Sequence, residues 1–294
     1  MILFLYVKIM YIYKLVFLSL VLFSQLANAN DIPKITKNVV GIFNVDTNKA
    51  VNTRDVYGDV INYYIPPEIN TITIHSPNDG DVSIDLQSEI EFVISEWREA
   101  GLRFKRLSSI QGTTRYIGYR LGNDASAYGY TNFNEPREGD AITRLSLEPS
   151  GFTRFIPDYY RRLMRAGMIS SNMTMHEFIR MMVRVTLLHE TGHALGLAHH
   201  DENGHEFIGG MRVGREIVRC GINISRPSIM QGGSSGSYLS LVSQFLSRPV
   251  NINDVVLSRN DLEGADRMFN SHNSRGVVSL FCMAVFMSMK GSEL

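Results

Sequence analysis

The chain has 294 residues, 44% hydrophobic and 20% charged, enough for one large or two small domains around a substantial core. Residues 1–29 hold two lysines and no acid, and the remainder has 27 basic and 29 acidic residues, a net charge of −2. That balance excludes proteins that hold nucleic acid or an anionic membrane through bulk charge.

The first 29 residues combine Lys8 and Lys14 with an apolar run Leu15–Phe23 and then Ala27-Asn28-Ala29. This is the pattern of a secretory signal with an A-x-A cleavage site, so export and cleavage after Ala29 are expected. A retained anchor is the alternative, and the short apolar run argues against it. Residues 30–58 mix polar residues with short apolar groups, which suits a short pro-segment or an extra strand. Val60–Ile65, stopped by Pro66-Pro67, reads as a strand. Asn78-Asp79-Gly80-Asp81 reads as a turn and helix start, and Ile84–Ala100 carries a helical stripe ended by Gly101, with Trp97 in the core.

Arg115–Leu121 and Ala141–Leu147 alternate as strands do, with Gly122–Gly139 read as a long loop between them. Ile156–Ile169 reads as an amphipathic helix whose apolar face holds Tyr159, Tyr160, Leu163 and Met164. Thr174-Met175-His176-Glu177 is a capping box that opens a long helix running to Gly196. Near its end the chain reads His189-Glu190-Thr191-Gly192-His193-Ala194-Leu195-Gly196-Leu197-Ala198-His199. Histidines four apart share one helix face and can grip one divalent ion, for which zinc is the best match. Gly196 permits a left-handed turn that brings His199 back as a third ligand. Three protein ligands leave zinc one further position, the catalytic arrangement, with Glu190 beside the first ligand as general base. One zinc ion, held by His189, His193 and His199, is therefore the expected cofactor. His200, Asp201, Glu202 and His205 are alternative third ligands.

The pattern H-E-x-x-H-x-x-G-x-x-H resembles that of the metzincin metallopeptidases. Arg226-Pro227-Ser228-Ile229-Met230 is similar to their methionine turn, with Met230 as an apolar floor. Glu96–Phe104 resembles the first helix and following strand of the matrixin-like branch, closest of the branches, and Leu257–Ala265 the start of its C-terminal helix. The resemblance implies an α/β (α+β) fold, a twisted mixed sheet with two long helices and a smaller C-terminal subdomain holding the Met-turn and a helix. It implies a peptidase domain over 59–274, divided into 59–196 and 197–274, with strand 141–147 as the sheet edge above the cleft. It implies a secreted zinc-dependent metalloendopeptidase: a hydrolase in which Glu190 takes the proton of a zinc-bound water as the water attacks a protein or peptide substrate. The alternative is a non-catalytic exported zinc-binding or adhesion module on a peptidase scaffold. No histidine lies between His75 and His176, so the second, structural zinc of matrixins is not expected.

Val56-Tyr57-Gly58-Asp59 loosely resembles the aspartate switch of astacin-like zymogens, but Gly-Asp is also an ordinary turn, and activity on export without further processing is expected. Cys220 and Cys282 are the two cysteines, and pairing and free thiols suit them equally. Ser258–Asn270 reads as a helix capped by Ser258. Val277–Met289, the core of an apolar tail over 275–294, is too short to span a bilayer. No stable membrane span after signal cleavage and no nucleic-acid partner are expected, and oligomeric state is left open.

Overall fold

The computed structural model describes residues 38–44, 49–50, 53–76, 79–113, 115–133, 141–199, 206–208, 211–219, 227–230 and 235–270. The signal segment, both cysteines, residues 200–205 and the apolar tail lie outside them. In chain order the elements are β1 (Asn38–Asn44), β2 (Lys49–Ala50), α1 (Thr53–Tyr57), β3 (Ile61–Tyr64), β4 (Thr71–Ser76) and β5 (Gly80–Asp85). Next come α2 (Leu86–Arg98), β6 (Phe104–Arg106), β7 (Tyr116–Leu121), β8 (Gly129–Phe133), β9 (Thr143–Leu147), α3 (Pro149–Arg165) and α4 (Met175–Ala194). The last are β10 (Leu197–Ala198), β11 (Glu206–Ile208), β12 (Met211–Arg219), α5 (Ser235–Leu246) and α6 (Arg259–Asn270).

The architecture is mixed α/β. One sheet has the order β6-β3-β7-β9-β8, with parallel pairing except for the antiparallel outer strand β8. A second, antiparallel sheet has the order β10-β1-β12-β11, with β2 on β1. Strands β4 and β5 form a separate hairpin.

Helix α4 is the central element. Thr174 caps it: its hydroxyl accepts from the Glu177 amide, and the Glu177 carboxylate accepts from the Thr174 amide. Phe178, Ile179, Met181, Met182, Val183, Val185, Leu187 and Leu188 are all buried, so the helix is apolar on almost every side. It packs against β8, β9 and α2. Burying each of its large aliphatic or aromatic side chains contributes about 1.5–3 kcal/mol, which fixes the helix axis against the sheet.

The structure departs from the sequence expectations in three places. Residues 80–85 are strand, not the start of the helix. Val82 and Ile84 face inward between exposed Asp81, Ser83 and Asp85, and Asp85 then caps α2 by accepting from the Ser88 amide. The expected loop 122–139 contains strand β8. Consequently strand 143–147 is interior to the sheet, and β8 is the edge beside α4.

Candidate metal centre

His189 and His193 stand one turn apart near the end of α4. Gly196 has φ +88°, a conformation that costs a residue with a Cβ, and the chain reverses there into β10 and His199. The three Nε2 atoms converge: 2.9 Å from His189 to His199, and 3.1 Å from His193 to each of the other two. Nδ1 of His189 donates to the Ile229 carbonyl at 2.8 Å, and Nδ1 of His193 donates to the Leu197 carbonyl at 2.8 Å. A carbonyl can only accept, so both Nδ1 atoms carry hydrogen, and in the neutral form of either ring Nε2 is then the nitrogen that can bind a cation. Three imidazole nitrogens converging at this distance suit a cation held between them. Nitrogens on one zinc ion at roughly 2.0–2.1 Å stand about 3.3 Å apart, close to the observed spacing. The residues therefore fit a zinc ion, and the two carbonyls are the outer partners that orient such ligands.

Ile229 belongs to a turn whose neighbours are fixed from α6. Asp261, fully buried, accepts from the Ser228 hydroxyl at 2.5 Å, the Ile229 amide at 3.1 Å, and the Ser258 amide and hydroxyl at 2.9 and 2.7 Å. Burial pushes its carboxyl upward against the pull of these donors. Met230 is buried, and its sulfur lies where a Cβ on Gly192 would stand, 2.3 Å from that point. Glycine at position 192 is thus what lets the methionine turn press against the helix between the two histidine turns.

Glu190 is buried, and burial pushes its carboxyl up to about 8, although the Thr131 hydroxyl on β8 pulls the other way. That hydroxyl lies 2.9 Å from Oε2 and 2.8 Å from the Glu190 carbonyl. A dication on the histidines would favour the charged carboxylate. Asp59 is exposed and paired with Arg54 at 2.9 Å.

The structure thus brings His189, His193 and His199 together as the spacing demands, with Glu190 in the same helical turn as the first of them. Sequence reasoning did not find Thr131, because β8 is hidden in a stretch of glycine, asparagine and proline. It did not find Asp261 as the anchor of the methionine turn either, since Ile229 and Asp261 are 32 positions apart in sequence and meet only in the fold.

A mixed α/β fold with a three-histidine cluster that could hold a metal ion does not by itself define a function. No family model matches the chain, and no curated protein does. A solved structure does: one chain of the "GM1 bound form of the ECX AB5 holotoxin" superposes with a TM-score of 0.68 at 32% identity, over 79% of this chain and 88% of that chain. The protein belongs to the family of that holotoxin chain, an exported family. Among the described residues no helix is long and apolar enough to cross a membrane.

This match corrects the sequence reading. The family is that of an AB5 holotoxin chain, not the matrixin-like branch of the metzincins. The function carried by that resemblance, a secreted zinc-dependent metalloendopeptidase, falls with it, as does the description of the chain as a hydrolase and metalloprotease. The physical reason is that histidine spacing specifies a coordination site. What the site acts on was supplied by analogy alone.

Proposed function

We propose that the protein is the zinc-holding component of an exported toxin assembly of the AB5 kind. The observation that carries this reading is the 32% identity over 88% of a holotoxin chain, joined to three histidines whose Nε2 atoms converge. GM1 is bound by the neighbour's assembly, so a glycolipid headgroup is the surface ligand to test for the assembly formed here. Native mass spectrometry of the chain recovered from the cells that export it should give one copy with a smaller, repeated companion, carrying one zinc ion. A lone chain of about 33.2 kDa less its signal, with no companion at micromolar concentration, would overturn the assembly.

A second reading, that this component is an enzyme, is favoured by Glu190. A purely structural zinc has no use for a buried carboxylate next to its first ligand, braced by a hydroxyl from a neighbouring strand. When bound, zinc acidifies water and polarises a carbonyl. Glu190 would hold and pass the proton at Oε2, Thr131 would keep that carboxylate in place, and the two outer carbonyls would hold the imidazoles in one tautomer. Glu190→Gln should keep zinc content and assembly while lowering potency on target cells by roughly 10²-fold or more, the scale of a lost general base. Unchanged potency would eliminate this second reading and leave the first intact.

A further inference from the structure

The sequence places residues 30–58 outside the zinc domain, yet the structure ties part of that segment to the turn that positions the third histidine. Helix α4 ends with backbone carbonyls that have no partner within the helix. Two of them lie between His193 and Gly196, and both are taken by side chains from α1. The Thr53 hydroxyl donates to the Leu195 carbonyl at 2.6 Å, and the Tyr57 hydroxyl donates to the Ala194 carbonyl at 2.9 Å. Thr53 is 2% exposed and Tyr57 4%, and the Tyr57 oxygen also meets the Thr143 hydroxyl of β9 at 2.5 Å. Burial raises the Tyr57 hydroxyl well above the ordinary tyrosine range, so it stays protonated and able to donate. Beyond Gly196 the same N-terminal segment returns: β1 pairs with β10, Val40 opposite Ala198 and Gly41 opposite Leu197.

We propose that Thr53 and Tyr57 are positioning residues for the metal centre, setting the distance between His193 and His199 by holding the two carbonyls between them. This rests on the zinc reading above. The angle between the helix end and β10 decides where His199 stands relative to its partners. A carbonyl left without its buried donor would turn toward water and take the reversal at Gly196 with it. Arg54 adds a tie in the other direction: its guanidinium lies 5.1 Å from the Phe269 ring centroid on α6, the helix that also holds the Ile229 turn through Asp261. The N-terminal segment thus contacts both supports of the histidine cluster.

The test is made on the full mature chain, with zinc affinity measured by competition against a chromophoric chelator, visible absorption of the cobalt(II) form, and melting of the metal-free protein. Thr53→Val and Tyr57→Phe should each weaken zinc roughly 10- to 100-fold, the scale of a lost outer partner, and shift the cobalt bands. Thr53→Ser, which keeps the hydroxyl, should restore both. Tyr160→Phe is the control. It removes a hydroxyl that donates to the Met173 carbonyl at 2.5 Å, just before the far end of the same helix, roughly 30 Å away. It should lower melting without altering affinity or spectrum. Wild-type affinity and spectrum in both Thr53→Val and Tyr57→Phe would overturn the proposal, as would an equal loss in Tyr160→Phe. If the wild type itself holds no zinc, the zinc reading fails first and this inference with it. If Thr53→Val does not fold, Tyr57→Phe, which deletes one oxygen and no volume elsewhere, decides the matter.

Discussion

Replacing His193 with alanine should remove tight zinc binding while leaving the fold in place. The site loses one of three nitrogens that stand 2.9–3.1 Å from one another, and no other described residue joins this ligand group. The loss should exceed the roughly 10- to 100-fold that removal of an outer partner costs, because a ligand itself is gone. Alanine is a good helix former, and position 193 lies in the last turn of α4, partly buried, so the helix should persist. Elemental analysis after dialysis should read close to one zinc per wild-type chain and close to none in the variant. His176→Ala, which alters an exposed histidine in the first turn of the same helix, should match the wild type. Retention of one zinc by His193→Ala would place the metal elsewhere.

The largest stability effect is expected at Glu89. Its carboxylate, 2% exposed, accepts from Arg184 Nε at 2.7 Å, Arg184 Nη2 at 3.2 Å and Arg180 Nε at 2.6 Å, joining α2 to α4. The Arg184 side chain is 7% exposed, and its guanidinium lies 3.8 Å from the Phe92 ring centroid. Glu89→Ala leaves that charge buried with a ring and the Ile252 carbonyl for company, a situation that costs about 3–5 kcal/mol. Denaturant unfolding should show that loss, with a melting temperature lower by about 6–20 °C for a chain of this size. Arg180 is 45% exposed, so Arg180→Ala should cost less than about 1 kcal/mol. A Glu89→Leu, Arg184→Met double variant should recover most of the stability, since the penalty belongs to the uncompensated charge. A loss below about 1 kcal/mol in Glu89→Ala would mean that water reaches Arg184.

The legible parts of the fold were the locally encoded ones. The capping box at Thr174, the apolar spacing of α4 and the reversal at Gly196 each follow from a few neighbouring residues, so the strongest helix and the histidine cluster could be read directly. Strand β8 could not. Its residues Gly129–Phe133 carry weak alternation, and it is a strand because β9 offers an edge and α4 covers it. The hairpin strand β5 was misread for a related reason: Val82 and Ile84 continue into the apolar stripe of α2, and the strand is decided by pairing with β4, Ile72 opposite Ile84 and Ile74 opposite Val82.

By itself, the sequence determined the three-histidine stretch, an export signal pattern and the central helix, because side-chain spacing along a helix is local geometry. Only the tertiary structure decided what surrounds the histidines. It brought Thr131 to Glu190, Asp261 to the methionine turn, and Thr53 and Tyr57 to the end of α4. Those pairs lie 59, 32, 142 and 137 positions apart in sequence. Contacts of that separation form when buried polar groups must find partners in a packed interior, a requirement set by the whole core rather than by any stretch of chain.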